Sequence, residues 1–294
     1  MDDWVWINGD VVRMSEAKVG IEDRGFQFAD GVYEVIRLYG GRPFRLTDHL
    51  DRLGRSAAGI LVEPPLSGHA IAEEIHRLLE KSGVGDGMVY LQLTRGPAPR
   101  NHLFPTAQKT HPTLLFYARA LAAAPPPGRA PGIRLLSVDD FRWKRCWIKS
   151  IALLPNILAK NAAVDAGADE AVFVDNGLVT ECAASNFFAV IGQTVTAHPA
   201  GAKVLPGITW AVLREAAQEA GIAWDERPLT ESEAMAADEA FITSTTREVS
   251  WVSVWNGKPW GSGQCGPVTR RLHEAFVRIV RREIGAAAMV AQTP

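Results

Sequence analysis

The sequence predicts an α+β fold in two domains. A chain of 294 residues is long enough for two domains, because single domains commonly contain about 150 residues. A proline-rich run at 122–131 is too stiff for a helix or a central strand and is typical of a domain connection. Strand-like and helical patterns occur on both sides of this run. We therefore expect a small N-terminal domain at 1–121, a linker at 122–132 and a larger C-terminal domain at 133–294.

The first domain begins with two hairpin signals. Apolar residues flank Asn8-Gly9 and later Gly40-Gly41, and such pairs are favoured in tight hairpin turns. The second hairpin has predicted strands at 35–39 and 43–46. From Thr47 the apolar residues follow a helical period, which returns at 71–79 before a strand at 88–94. This half is expected to be a sheet with helices.

The second domain alternates strands and helices in the same way. Its strands are predicted at 133–138, 171–174, 178–180, 187–191 and 241–243. Its helices are predicted near 157–166, 210–220 and 268–284.

Composition favours small-molecule chemistry. A formal net charge of -2 gives no electrostatic argument for binding nucleic acid or an anionic membrane surface. The N-terminus lacks the basic and apolar regions of a signal peptide, and no apolar run approaches the roughly 20 residues that span a bilayer. The three cysteines are an odd number without metal-ligand spacing, so we expect neither disulfides nor a metal site. These features predict a soluble cytoplasmic protein.

Lys149 is the strongest candidate for a catalytic residue. It lies among the apolar residues of the run WIKSIALL at 147–154, and desolvation of its ammonium group would lower the pKa and make a neutral amine available. Such an amine forms a Schiff base with an aldehyde. A lone lysine of this kind is more often a surface residue with its stem packed on apolar neighbours, so the assignment depends on other residues.

Several segments provide groups that could hold an anionic ring. Glu181 ends a predicted strand, where its carboxylate could keep a pyridine nitrogen protonated. The run LPGIT at 205–209 precedes a helix, and amides at a helix N-terminus favour phosphate. Ser244 and Thr245 follow a strand with further hydroxyls, and Arg52 could supply a cation. Taken singly, these are equally compatible with a helix cap, a hydroxyl-rich turn and a solvated helix face.

The motifs together resemble the fold type IV pyridoxal-phosphate enzymes. They are DRGFQFADGVYE at 23–34, HLDRL at 49–53, IKS at 148–150, TECAASN at 180–186 and LPGIT at 205–209. The resemblance covers nearly the whole chain and implies a homodimer that binds pyridoxal 5'-phosphate between its domains, with the larger C-terminal domain binding the cofactor. Two positions depart from the family: Ala29 stands where glycine is usual, and Cys182-Ala183-Ala184 replaces glycine and serines.

The resemblance also implies a role for each matching residue. Lys149 forms the Schiff base and moves the proton, and Glu181 contacts the pyridine nitrogen. The phosphate is held by Arg52, Ile208, Thr209, Ser244 and Thr245. Leu205 packs against the ring, and Arg142 reaches its phenolic oxygen.

Substrate choice is expected to depend on the run TRGPAPRNHLFP at 94–105. It is similar to the carboxylate-binding loop of the D-amino acid transaminases, in which an arginine, a histidine and a tyrosine bind the substrate's α-carboxylate. Arg100, His102 and Tyr33 match those positions, and a guanidinium group binds a carboxylate with two parallel hydrogen bonds. Without the family context the run resembles a basic, proline-rich surface loop.

The sequence therefore predicts transfer of amino groups between D-amino acids, such as D-alanine and D-glutamate, and 2-oxo acids, such as pyruvate and 2-oxoglutarate. The alternatives within the family are transamination of branched-chain L-amino acids or (R)-amines, and an aminodeoxychorismate lyase. A protein that kept the fold only to bind phosphate, without catalysis, is the alternative from another class.

Overall fold

The computed structural model describes residues 3–106, 110–260 and 263–285, and the chain divides into two compact units. Unit 1 comprises the described residues of Met1–Ala123, Ile148–Ala152 and Ile284–Pro294. Unit 2 comprises the described residues of Ala124–Trp147 and Leu153–Glu283. The five residues Ile148–Ala152, which include Lys149, lie in unit 1, although the sequence places them within the second predicted domain.

Unit 1 contains a six-stranded antiparallel sheet in the order β2-β1-β6-β5-β3-β4. Its strands are β1 (Trp4–Ile7), β2 (Asp10–Arg13), β3 (Gly31–Tyr39), β4 (Arg42–Pro43), β5 (Gly87–Thr94) and β6 (Thr113–Ala120). Its helices are α1 (Arg24–Phe28), α2 (Leu46–Gly59) and α3 (Gly68–Ser82).

One face of this sheet is covered by α2 and α3. The side chains at every second position of β3 are buried beneath the helices, from Val32 through Ile36 to Leu38, because successive residues of a strand point to opposite faces. Glu34 occupies one of these buried positions. The charge inside the core of unit 1 therefore lies opposite α2.

Unit 2 contains a ten-stranded mixed sheet in the order β12-β11-β10-β14-β15-β7-β8-β9-β13, with β16 paired to β15. Its strands are β7 (Ile133–Asp139), β8 (Glu170–Asp175), β9 (Leu178–Cys182), β10 (Asn186–Ile191), β11 (Thr194–Ala197), β12 (Ala223–Glu226), β13 (Leu229–Thr230), β14 (Glu239–Ser244), β15 (Glu248–Trp255) and β16 (Lys258–Pro259). Its helices are α4 (Leu154–Asp165), α5 (Ile208–Glu219), α6 (Glu231–Met235) and α7 (Pro267–Ile284), of which Ile284 counts with unit 1.

The core of unit 2 is largely aromatic and aliphatic. Phe187 packs edge-on against Trp255, which stacks on Trp260. The strands that carry these residues are nearly continuous apolar runs, as expected for strands buried on both faces. Cys146, Cys182 and Cys265 are buried free thiols. None of the helices in the described part of the chain combines the length and the apolar composition that a bilayer crossing requires.

The structure confirms the α+β fold and corrects one predicted element. The first hairpin forms around Asn8 and Gly9, both at positive φ. The predicted strand at 43–46 is wrong in its extent: β4 ends at Pro43, and α2 begins at Leu46. Arg45 adopts a left-handed conformation between them, with φ of 55°, which no extended strand allows.

Candidate active site

Lys149 lies on a short segment of unit 1 that runs beside the beginning of β3. Its carbonyl oxygen accepts a hydrogen bond from the Tyr33 amide at 3.0 Å, and the Ile151 amide donates to the Gly31 carbonyl at 3.1 Å. Its own amide donates to Ser56 Oγ on α2 at 3.1 Å. The backbone of Lys149 is therefore fixed by both the sheet and the helix.

The side chain of Lys149 lies over an aromatic ring. Its Nζ atom is 4.3 Å from the centroid of the Tyr33 ring. Tyr33 stacks on Tyr90, which stacks in turn on Tyr117, with centroid distances of 5.9 and 5.3 Å. The structure thus brings together Lys149 and Tyr33, two residues that the sequence assigns to one site.

Arg52 is part of a buried ion-pair network on α2. Its Nε and Nη2 atoms donate to the two carboxylate oxygens of Glu34, each at 2.7 Å. His49, one helical turn earlier, places Nδ1 2.7 Å from Glu34 Oε2. Glu34 has no exposed surface, and Arg52 and His49 are almost fully buried. Arg52, the predicted phosphate ligand, is therefore oriented by a carboxylate behind it.

The charges of this network perturb two pKa values. Burial alone would raise the pKa of Glu34, but the charge and hydrogen bonds of Arg52, with a further hydrogen bond from His49, lower the pKa to about 2. Burial lowers the pKa of His49 below its ordinary value, against the opposing effect of Glu34. Glu34 is therefore ionised at neutral pH, and a neutral His49 donates to it through Nδ1.

Sequence reasoning did not identify Glu34 and His49. The signal was present, because Glu34 shares a strand face with Val32 and Ile36, and a charge at such a position requires a buried partner. His49 and Arg52 are three residues apart and therefore lie on one face of α2.

Arg100 and His102 lie on the loop that follows β5, and both pack around one aromatic ring. The Arg100 guanidinium carbon is 4.9 Å from the centroid of Phe28, and the His102 ring is 5.6 Å from it. Both side chains are exposed. Phe28, which sequence reasoning did not select, holds the two predicted carboxylate-binding residues on the same side of unit 1.

Glu181 lies on β9 in unit 2, with only 5% of its surface exposed. Its Oε1 atom accepts a hydrogen bond from Arg142 Nη1. Its Oε2 atom accepts from Asn186 Nδ2 and from the Leu205 amide, each at 3.1 Å. The predicted residues Glu181, Arg142 and Leu205 are therefore brought together, and Asn186 is an additional member of the group.

Arg142 also pairs with Asp140. Its Nε and Nη2 atoms donate to the carboxylate oxygens of Asp140 at 2.9 and 2.8 Å, and Nη2 donates to the Lys203 carbonyl at 3.0 Å. Burial would raise the pKa of Asp140, but the hydrogen bonds and charge of Arg142 hold it below its ordinary value. The predicted contact between Arg142 and the phenolic oxygen of the cofactor stays a prediction.

The predicted phosphate-binding groups of unit 2 lie at the start of α5 and after β14. Gly207 is the N-cap of α5 and contributes no side-chain hydrogen bond, while Ile208 and Thr209 form the first turn, whose amides have no acceptor within the helix. Ser244 Oγ accepts a hydrogen bond from the Arg247 amide at 3.2 Å, and the half-buried Thr245 lies in the same turn.

The residues that depart from the family pattern are part of the frame of unit 2. Cys182 is fully buried, and burial raises the pKa of its thiol well above the ordinary value, so the thiol is protonated. The Ala183 amide donates to the Ala171 carbonyl at 2.9 Å, and its carbonyl accepts from Asn156 Nδ2 at 2.8 Å. Ala184 is exposed.

The comparisons with known proteins identify the class. The sequence profile described as Amino-transferase class IV matches residues 31–255. The chain is 38% identical over 276 residues to the D-alanine aminotransferase of Staphylococcus haemolyticus, covering 94% of this chain and 97% of that one. It is also 38% identical over 279 residues to the D-alanine aminotransferase of Bacillus licheniformis, covering 95% and 98%. The chain belongs to the class IV aminotransferases.

Solved structures agree with the fold. The branched-chain amino acid aminotransferase of Escherichia coli superposes with a TM-score of 0.87 at 26% identity, covering 95% of each chain. A second branched-chain amino acid aminotransferase, from a T.th. strain and solved with pyridoxamine 5'-phosphate, gives a TM-score of 0.87 at 27% identity, covering 95% of this chain and 94% of that one.

The residues present fit pyridoxal 5'-phosphate, the cofactor of this family. Lys149 supplies an amine, and Glu181 supplies a carboxylate held by three hydrogen bonds. Among the residues that the structure describes, Thr243 Oγ1, next to Ser244, is buried without a hydrogen-bond partner, which suits a site for a polar ligand. Across the described ranges there is no cluster of three or more histidine, cysteine, aspartate or glutamate residues that could hold a metal ion.

Proposed function

We propose that this enzyme transfers amino groups between D-amino acids and 2-oxo acids, with D-alanine and D-glutamate as donors and pyruvate and 2-oxoglutarate as acceptors. The carrying observation is the placement of Arg100 and His102 around Phe28 on the loop predicted to bind the α-carboxylate. The identity to D-alanine aminotransferases supports the same substrate class, since it exceeds the identity to the branched-chain enzymes.

Two residues are assigned to the chemical step. Pyridoxal 5'-phosphate, when bound, accepts the amino group and withdraws electrons from the substrate's α-carbon. Lys149 removes the α-proton as a general base and returns a proton as a general acid. Glu181 holds the ring nitrogen, and its hydrogen bonds from Asn186 and the Leu205 amide fix the direction of its carboxylate.

The phosphate is assigned to residues of both units. Arg52 supplies the cation, and its guanidinium plane is set by Glu34. The amides of Ile208 and Thr209 supply hydrogen-bond donors at a helix N-terminus, where negative charge is favoured. Ser244 and Thr245 supply further hydroxyl groups.

The same proposal includes a cytoplasmic homodimer. Leu154, Ile157, Leu158 and Val164 on α4 expose about half or more of their surface, at 65%, 53%, 55% and 56%. An apolar patch of this kind is typical of a protein–protein contact. Light scattering after size-exclusion chromatography should give twice the mass of the 32.0 kDa chain.

The substrate class is tested by the visible absorption spectrum of the enzyme loaded with pyridoxal 5'-phosphate. D-alanine should remove the band of the bound cofactor, while L-alanine and L-leucine should leave it unchanged. A response to L-leucine alone would instead place the enzyme with the branched-chain aminotransferases. A band that none of the three changes would favour an (R)-amine donor or a lyase, and release of pyruvate from aminodeoxychorismate without an amino acceptor would identify the lyase.

Two variants test the residue assignments. Lys149→Ala should abolish turnover while the protein stays folded, and near-normal activity would contradict the chemical assignment. Arg100→Ala should raise the KM values for D-alanine and 2-oxoglutarate while leaving the affinity for the cofactor unchanged. Unchanged KM values would show that Arg100 does not bind the carboxylate.

A further inference from the structure

Asp30 holds two buried arginines at the base of the loop that carries Arg100 and His102. Its Oδ2 atom accepts from Arg24 Nε at 2.8 Å and from Arg95 Nε at 2.7 Å, and its Oδ1 atom accepts from Arg95 Nη2 at 3.0 Å. The Arg24, Arg95 and Asp30 side chains are only 4%, 8% and 11% exposed. A charge network buried to this extent is well ordered, because displacing any member leaves another charge without a partner.

Each arginine uses its remaining groups on other parts of unit 1. Arg24 Nη1 donates to the Asn101 carbonyl at 2.6 Å, and Asn101 lies between Arg100 and His102 in the chain. Arg95 donates to the carbonyls of Ile60 and Leu61 at 2.6 and 2.9 Å, beyond the end of α2. The network therefore connects the backbone of the loop to the helix that carries Arg52.

Aromatic rings add a second set of contacts. The Arg95 guanidinium lies 3.9 Å from the centroid of Phe104, which anchors the end of the loop. The Arg24 guanidinium lies 4.7 Å from the centroid of Phe28, the ring against which Arg100 and His102 pack. Arg24 thus contacts both the peptide between the two predicted ligands and the ring beneath them.

We propose that Arg24, fixed by Asp30 and Arg95, is a positioning residue that sets Arg100 and His102 for the substrate carboxylate. This inference rests on the proposed function. It assigns the segment 24–30 a role in substrate recognition through the loop. Small shifts of a binding group are costly, since a displacement of about 1 Å can reduce a rate about a hundredfold.

The test is Arg24→Lys, which keeps a positive charge beside Asp30. A single ammonium group cannot reproduce the fork that reaches Asp30 and the Asn101 carbonyl together. We expect the KM values for D-alanine and 2-oxoglutarate to rise about tenfold or more, with a smaller change in kcat and an unchanged dissociation constant for pyridoxal 5'-phosphate. Amide hydrogen exchange of the loaded enzyme should accelerate in peptides that cover residues 97–106 and stay unchanged in β5 and α3.

Arg13→Lys is the matched control, because Arg13 also lies over an aromatic ring of unit 1, at 3.7 Å from the Trp4 centroid, but takes no part in the loop. It should change neither KM nor exchange in residues 97–106. If Arg24→Lys does not fold, Asp30→Asn, which keeps the shape of the side chain, should give the same pattern of KM and exchange.

The outcomes separate this inference from the proposed function. Unchanged KM values in Arg100→Ala would overturn the carboxylate site itself. Raised KM values in Arg100→Ala, together with unchanged KM values and exchange in Arg24→Lys, would overturn only the positioning role. Exchange that rises uniformly over unit 1 would also overturn it, because Arg24 would then stabilise the unit as a whole.

Discussion

Glu34 receives the Nε and Nη2 hydrogen bonds of Arg52 on its two carboxylate oxygens, each at 2.7 Å. This arrangement fixes the guanidinium plane, because a planar group held at two points cannot rotate. Glu34 lies on β3 and Arg52 on α2, so the pair also joins the sheet of unit 1 to its first long helix. A residue assigned to the cofactor's phosphate thus takes its orientation from the core of the fold.

Glu34→Gln should weaken both stability and cofactor binding. The change leaves the buried Arg52 charge without its carboxylate, and breaking a buried pair in this way costs about 3 kcal/mol. We expect the free energy of unfolding in urea to fall by about that amount, and the dissociation constant for pyridoxal 5'-phosphate to rise about tenfold. Asp51→Asn, at an exposed position of the same helix, should change neither quantity. Unchanged cofactor affinity in Glu34→Gln would show that Arg52 does not depend on Glu34 for its function.

Acid should destabilise unit 1 in two steps. The pKa of Glu34 is about 2 in the folded protein and 4.5 in the unfolded chain, so its contribution is complete above pH 4.5 and is lost as the pH falls toward 2. A difference of this size corresponds to roughly 3 kcal/mol. The pKa of His49 is also lowered from 6.5, so the unfolded chain takes up that proton first and stability begins to fall below pH 6.5. Urea midpoints measured from pH 7 to pH 3 should show both steps, and Glu34→Gln should flatten the one below pH 4.5.

Residues whose role depends on local sequence could be predicted. Lys149 and Glu181 were selected because they belong to compact motifs, and the periodic strands and helices around them were predicted at nearly the observed positions. The first hairpin followed from Asn8 and Gly9, whose positive φ values are those that the turn requires.

Contacts between distant parts of the chain could not be predicted. The segment Ile148–Ala152 belongs to unit 1 because it pairs with residues more than a hundred positions earlier, and no local pattern records such a pairing. The network of Arg24, Asp30 and Arg95 was missed for the same reason, since a single sequence does not show which charges are buried together.

Gly31→Ala should displace the segment that carries Lys149. A Cβ atom at this position would lie 2.6 Å from the Leu93 carbonyl oxygen and 2.9 Å from Ile151 Cδ1, and the first of these is backbone that cannot rotate away. We expect a loss of about 2 kcal/mol in the free energy of unfolding, together with a lower kcat. Gly54→Ala is the control, because a Cβ atom there meets nothing within 4 Å and alanine favours the α2 helix. Equal stability of the two variants would argue against close packing at Gly31.

Gly207→Ala should disturb Glu181 through Asn186. The φ of Gly207 is -67°, which alanine accepts, but its Cβ would lie 2.2 Å from Asn186 Oδ1. Asn186 would have to move, and Glu181 would lose one of its donors. We expect the dissociation constant for pyridoxal 5'-phosphate to rise about tenfold, with little change in Gly128→Ala, where the nearest atom is a flexible arginine side chain at 3.6 Å. Adding Gly207→Ala to Asn186→Ala should cost little further affinity, because the clashing group is already gone; fully additive losses would point to another cause.

Ala29→Gly should stabilise the protein although it shortens a side chain. Ala29 ends α1 in the left-handed conformation, with φ of 54° and ψ of 32°, and its amide donates to carbonyls of the preceding turn. A Cβ atom in this conformation costs about 1–2 kcal/mol, whereas the added freedom of glycine in the unfolded chain costs about 0.5–1 kcal/mol. The free energy of unfolding should therefore rise by up to about 1 kcal/mol. Ala58→Gly, at an exposed position inside α2, should lower it by about 1 kcal/mol, because there glycine relieves no strain. Urea denaturation of the two variants should give shifts of opposite sign, and a loss in both would mean that the left-handed conformation at Ala29 is not strained.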